Sequence, residues 1–341
     1  MSESGTAIGS SGEPLFEAFL NRHDDKAWRE IIRRLLPSIH EVDRTATEIW
    51  FYFFPLTLVR ALQQAGDPEH LARKLLLEGK YLLKHQIDSS HEFFYGDRYW
   101  PQVKAAVSEL AASTGSPASL DLAAQIRRLA AGVASLEQVD EPLVVGITAV
   151  AFMTLQQVGA EAFRLSPSTK RTLSPKSPEQ ILKARSRDDR QGLFSFLNPD
   201  KIFTITFTEN DPGARFKLIN TQHLTTAAAN DKRDYHSREP RCVVGEGPIP
   251  IQCRSASCGT CWVGVLGGAE KLSEVADLEW QRIREFGYID TEEPRPLIRL
   301  ACQAQAYGNV SIVIPPWNGV FGKFIRQQKI ESEEEQQSSI I

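Results

Sequence analysis

From Pro14 to about Leu165, apolar residues recur every three or four positions, the spacing of helices with one buried stripe. In DDKAWREIIRRLL the stripe is Trp28, Ile31, Ile32 and Leu35, and Pro37 ends the predicted helix. DPEHLARKLLLEGKYLLKHQ, residues 67–86, opens with Asp67 as N-cap and Pro68 at the first helical position. It then stacks Leu71, Leu75 and Leu82 on one face, which predicts one long helix. PQVKAAVSELAAS, SLDLAAQIRRLAAGVASL and EPLVVGITAVAFMTLQQVGAEAFRL continue the pattern. No segment before residue 200 alternates with period two, so residues 14–165 are expected to form an all-helical domain of six or seven helices.

The period changes after residue 200. KIFTITFTEN places Phe203, Ile205 and Phe207 on one face, and RFKLINTQHL follows a DPG turn as its hairpin partner. TTAAANDKRDYH predicts a short helix, and VSIVIPP alternates Val310, Ile312 and Ile314. Strands around one or two helices predict a small α+β domain with a mixed sheet over 200–326. Between the two patterns, 166–199 reads as a linker rich in proline, serine and basic residues, or as a basic strap for an acidic partner or neighbouring subunit. Its first part, 166–191, carries seven Lys or Arg against three Asp or Glu. Residues 1–13 read as a disordered Ser/Gly tail and 327–341 as an acidic tail.

Composition narrows the class. The 341 residues exceed one ordinary domain, and 42% hydrophobic with 24% charged residues fits a globular chain. A net charge of -4 argues against nucleic acid as a partner. The polar start MSESGTAIGSSGEP lacks a signal-peptide pattern, and the apolar run IWFYFFPLTLV at 49–59 is too short for a membrane span. A cytoplasmic location is therefore expected, where five clustered cysteines do not form a disulfide framework.

Three of those cysteines lie in CRSASCGTC. Cys253, Cys258 and Cys261 have the spacing C-x4-C-x2-C, and forty residues separate Cys261 from Cys302. A two-iron, two-sulfide cluster needs four thiolates converging from two directions, three from a tight loop and one from a separate return of the chain. Arg254, Ser255, Ala256, Ser257, Gly259 and Thr260 between the ligands are mostly small, so the backbone can wrap closely, and Gly259 tolerates a conformation that a Cβ penalises. Zinc usually takes two short cysteine knuckles and only one is present. A [4Fe-4S] run needs C-x2-C-x2-C, a Rieske centre needs Cys-His pairs, and a nucleophilic cysteine needs no such companions.

These residues, with GEGPIPIQCRSASCGTCWVGVLGG, LSEVADLEWQRIREFGY and RLACQAQAYGNVSIVIPP, resemble the plant-type and adrenodoxin-like [2Fe-2S] ferredoxins over residues 200–326. The resemblance implies a β-grasp fold, so the whole chain is expected to be α+β: an all-α N-terminal domain followed by a ferredoxin-type domain. It implies that Cys253, Cys258, Cys261 and Cys302 bind a [2Fe-2S] cluster, with Cys253 and Cys258 on the more exposed iron and Cys261 and Cys302 on the inner one. It also implies one-electron transfer without substrate chemistry. The cysteine loop has plant-type length, whereas LSE and RLACQ are similar to the adrenodoxin-like branch. The interval to Cys302 is longer than in either, with IDTEEPRP as the extra loop.

Cys242 stands outside the pattern as a buried or inert thiol, the alternative being ligand exchange or a redox role. Residues 270–293 hold eight acidic residues, among them Glu270, Glu274, Asp277, Glu279, Glu285 and Asp290, against Lys271, Arg282 and Arg284. In adrenodoxin-like ferredoxins an acidic helix docks basic redox partners, so this segment, with the cluster loop, is the expected docking site; an ordinary solvated face is the alternative. The chain shows no GxGxxG after a strand and no P-loop. It is therefore expected to be a non-enzymatic electron carrier serving a larger oxidoreductase, with the helical domain used for docking or assembly into a larger complex. A redox sensor whose cluster state controls partner binding is the alternative. A third reading makes His40, Glu41, Glu48, His85, Asp88, His91 and Glu92 a metal or haem site, against their use as helix caps and hydrogen-bonded packing residues.

Overall fold

The computed structural model describes residues 15–113, 121–167, 175–186, 201–286, 293–324 and 326–327. The expected N- and C-terminal tails, part of the linker, Asp290 and part of IDTEEPRP lie outside them.

The N-terminal region is helical. Among the described residues up to 165 there are nine α-helices, more than expected: α1 (Leu15–Asn21), α2 (Asp25–Leu35), α3 (Glu41–Phe53), α4 (Leu56–Gln64), α5 (Pro68–Lys74), α6 (Trp100–Ala112), α7 (Leu122–Glu137), α8 (Pro142–Val158) and α9 (Ala160–Leu165). The surplus comes from one break inside a predicted span and from helices outside the predicted ones. Gly159, with φ +82°, separates α8 from α9, and Pro55 separates α3 from α4. α2 buries Trp28, Ile31, Ile32 and Leu35, the predicted stripe. α8 is buried nearly all round and forms the centre of the bundle.

The long helix predicted over 67–86 does not form. Asp67 caps α5 as expected, accepting from the His70 N–H at 2.9 Å, but the helix stops at Lys74. Leu76 turns left-handed at φ +51°, and Glu78–Gly79 becomes a short strand, β1. β1 pairs antiparallel with Trp317–Asn318, called β7 below, far along the chain. A tertiary pairing overrides the local leucine spacing here.

The C-terminal region is a five-stranded mixed sheet. It contains β2 (Ile202–Thr206), β3 (Arg215–Ile219), β4 (Trp262–Gly267), β5 (Ile298–Leu300) and β6 (Val310–Val313), in the order β3-β2-β6-β4-β5. β2 and β3 form the predicted hairpin, burying Phe203, Ile205, Phe216 and Leu218. β6 runs parallel to β2 and antiparallel to β4. As the central strand it is buried at all four positions, Ser311 included, so the alternation read from VSIVIPP does not correspond to a wet face. The chain is thus α+β, with helices α11 (Leu224–Ala228) and α12 (Asp277–Phe286) beside the sheet.

The helical region and the sheet share one core. A continuous cluster of buried apolar residues runs from Phe16 through Trp50 and Phe152 to Trp262 and Trp317. α3 lies against β4: a Cβ on Gly264 would meet Ile49 Cγ2 at 2.7 Å, so glycine lets the helix approach the strand. The Trp317 indole donates to the Phe53 carbonyl at 2.6 Å in the buried seam.

Part of the span expected to be a linker is also fixed in place. α10 (Pro178–Arg185) begins in a capping box at Ser177 and ends in Arg185, which spans both regions. Its guanidinium donates to Glu209 at 2.8 Å through both Nε and Nη2, and to the Val42 carbonyl at 2.7 Å.

Candidate metal centre

The cysteine loop leads directly into β4, and antiparallel pairing of β4 with β5 brings the distant fourth cysteine back. Trp262 is registered against Leu300, and the Ala301 N–H donates to the Cys261 carbonyl at 2.9 Å. Cys302 follows immediately and meets Cys261. Strand register thereby closes a gap of forty residues that the sequence leaves open.

The four thiols meet as two pairs. Cys253 and Cys258 are half-buried and lie beside each other. Cys261 and Cys302 are buried, at 1% and 4% exposure, and also lie beside each other. The pairs are close enough to interact electrostatically, Cys258 with Cys261 and Cys253 with Cys302. Among the described residues no three Cys, His, Asp or Glu side chains converge as around a single ion. Two thiolates for each of two irons is the demand of a [2Fe-2S] cluster, and this donor set meets it.

The surroundings favour thiolate at Cys253 and Cys302 and the protonated thiol at Cys261. Burial works to raise the Cys253 thiol, but donation from Ser257 Oγ, the Cys258 thiol and the N–H groups of Ser255 and Ser257 outweighs it and brings Cys253 down to about 6. Donation from Cys261 lowers Cys302 to about 7 against burial, helped by the Gln303 side chain and the Ala256 N–H. The same bond, with burial, pushes Cys261 well up. A loop that aims backbone N–H groups at sulfur is suited to an anionic cluster.

Local backbone explains how the loop holds this shape. Ala256 and Gly259 are left-handed, at φ +60° and +71°. At Gly259 a Cβ would also come within 2.9 Å of the Phe286 ring, which closes over the loop from α12 and stands edge-on to Trp262 with centroids 5.3 Å apart. Thr260 Oγ1 lies 3.1 Å from Cys258 Sγ and accepts from the Gln252 N–H at 3.1 Å. Glu279 of α12 fixes the other side, accepting from the Arg299 guanidinium and from the Leu300 N–H at 2.9 Å.

Cys242 is buried at 2% exposure, bonds to the Pro248 carbonyl at 3.3 Å, and is raised by burial to about 11. It stays outside the thiol cluster as a buried thiol.

The acidic segment is less available than its composition suggests. Glu279 is fully buried on Arg299, Glu274 faces Arg295 at 3.1 Å, and Glu285 is paired with Arg282. Nothing in the sequence pattern marks Arg295 and Arg299, which come from beyond the helix, as partners.

In the helical region three of the suggested metal residues, His40, Asp88 and His91, have structural uses. His40 caps α3, accepting from the Val42 N–H at 3.3 Å. Asp88 receives Trp100 Nε1 at 2.6 Å and Lys104 Nζ at 2.8 Å. His91 bonds Asp97 at 2.6 Å and packs on the Trp100 ring. His85, Glu41 and Glu92 are exposed, and Glu48 is partly buried, its carboxyl raised by burial and by Glu293.

Residues 244–307 match the family model of the 2Fe-2S iron-sulfur cluster binding domain. The matched span contains Cys253, Cys258, Cys261 and Cys302 and leaves out Cys242; the helical region lies outside it. The C-terminal part of this chain is therefore a 2Fe-2S iron-sulfur domain, and its cofactor is a [2Fe-2S] cluster. No solved structure matches the chain. No helix among the described residues is long and apolar enough to cross a membrane.

Proposed function

We propose that the chain is a one-electron carrier and non-catalytic partner of a larger oxidoreductase, with one cluster held by Cys253, Cys258, Cys261 and Cys302. The observation that carries this is the pairing of the four thiols within the matched domain, half-buried Cys253 with Cys258 and buried Cys261 with Cys302. The sheet order, with β6 parallel to β2, supports a β-grasp ferredoxin-type domain over 200–326. Residues 14–165 act as a docking or assembly domain, 166–199 connects the two, and a cytoplasmic location fits the chain.

When bound, the cluster accepts and returns single electrons. The protein's part is positional. Ser255, Ser257 and Ala256 direct N–H groups at sulfur, which stabilises negative charge. Phe286, Trp262 and the shared core keep water from the inner pair, while the outer pair faces solvent and a redox partner. Partner docking belongs near the cluster loop and residues 270–293.

Anaerobic reduction of the full chain should bleach its visible absorption, give the rhombic EPR signal of a reduced [2Fe-2S] centre, and reverse on reoxidation. A coloured protein that cannot be cycled would overturn the carrier reading. One contact supports a second reading, redox sensing: Gln252, next to Cys253, donates to Glu78 of the helical region at 3.3 Å. A sensor would change its partner affinity between apo and holo forms in a pull-down; a carrier would not depend on such a change.

A further inference from the structure

α12 has two distinct faces. Glu279, Ile283 and Phe286 are buried, while Asp277, Gln281 and Arg284 point outward. The outward side, with Trp280, forms one wall of an open cleft of about 710 Å³. Lys323 and Arg326 form the other wall. Residues 322–324 and 326–327 are helical there, anchored by the stacked rings of Phe321 and Phe324.

The charge of this cleft is opposite to that expected from the segment's composition. Among the described residues, Arg282, Arg284, Lys323 and Arg326 supply four cations against the carboxylates of Asp277 and Glu285. Arg282 already holds Glu285, and its Nε is buried with no partner among the described residues. Of the acidic side chains counted in the sequence, Glu279 turns inward to Arg299 and Glu274 to Arg295.

Position gives the cleft its meaning. Phe286, at the end of the same helix, lies against Gly259 inside the cysteine loop. A ten-residue helix spans about 15 Å. An occupant of the cleft is thus held on the element that covers the cluster loop.

The geometry points to a docking cleft for an acidic polypeptide segment, a carboxylate-bearing helix or loop of the redox partner, between α12 and residues 322–324 and 326–327. Carboxylates would meet the Arg284 and Lys323 side chains, and Trp280 would cover apolar side chains between them. A nucleic acid fits less well, because the cleft keeps two carboxylates of its own and the chain carries a net charge of -4. That the acidic segment belongs to a redox protein rests on the carrier reading above.

The test is fluorescence anisotropy with the cluster-loaded full chain, using a labelled short polyglutamate peptide, a polylysine peptide and a single-stranded oligonucleotide. Polyglutamate should bind, weaken with added salt, and lose about tenfold or more in affinity in an Arg284→Glu, Lys323→Glu double variant. Lys84→Glu, an exposed site outside the cleft, should leave binding unchanged. Unaltered cluster absorption shows that each variant is intact. The inference is overturned if the double variant binds polyglutamate as well as wild type, or if polylysine or the oligonucleotide binds more tightly. It is also overturned if deleting 328–341 raises polyglutamate affinity tenfold, since the chain's own Glu331 to Glu335 would then be the occupant. Reversible reduction, measured on the same samples, separates the two proposals. Binding without reversible cycling refutes only the carrier reading, and cycling without binding refutes only the cleft.

Discussion

Glu279 and Arg299 form a fully buried ion pair, with Arg299 Nε at 2.8 Å and the side chains 1% and 0% exposed. The pair ties α12 to β5, three residues before Cys302. The carboxylate also accepts from the Leu300 N–H at 2.9 Å, so one side chain fixes both the helix over the cluster loop and the strand end that returns the fourth cysteine.

Removing one member strands the other charge. Glu279→Ala should cost about 3–5 kcal/mol in chemical denaturation and lower the iron retained per chain. A double variant, Glu279→Leu with Arg299→Met, should recover much of the stability but less of the iron, because the acceptor for Leu300 N–H is still missing. Equal recovery of both would show that the pair has no role in placing Cys302.

The contact of Gly264 with Ile49 predicts that the two regions unfold together. Gly264→Val places branched carbons where Ile49 and Val313 already stand and should cost about 1–3 kcal/mol. Ile49→Ala in the same chain should return part of that loss. Helical and near-cluster signals should fall in one transition; two separated transitions would mean that the core is not shared.

These long-range contacts show where sequence reading stops. The helical stripe of α2, the hairpin of β2 with β3 and the cysteine spacing are local patterns, carried by residues a few positions apart, and they were readable. The bond from Trp317 to Phe53 and the pairing of Glu78 with Asn318 join distant positions and leave no period in the chain. The expected long helix over 67–86 failed for that reason, since Glu78 and Gly79 serve a strand that arrives from the far end. The composition of 270–293 gives its charges but not their directions, because Arg295 and Arg299, which neutralise Glu274 and Glu279, come from beyond α12.

Asp43 makes stability depend on pH. Burial raises its carboxyl to about 6, against donation from the Tyr95 and Gly96 N–H groups and the Arg185 charge. The folded state therefore holds this proton more tightly than the unfolded state. The stabilisation is complete below about 3.8 and is lost as pH rises through about 6, an effect of roughly 3 kcal/mol. In urea denaturation at a series of pH values, wild type should lose stability relative to Asp43→Asn between pH 4 and pH 7. A difference that does not change with pH, or changes in the opposite direction, would refute this assignment.

The central claim is that four particular thiols hold one cluster, and the iron content of five single Cys→Ala variants of the full chain tests it most directly. Wild type and Cys242→Ala should each contain two irons per chain, while Cys253→Ala, Cys258→Ala, Cys261→Ala and Cys302→Ala should each lose most of theirs. Full iron in any of those four, loss of iron in Cys242→Ala, or zinc in place of iron throughout would contradict it.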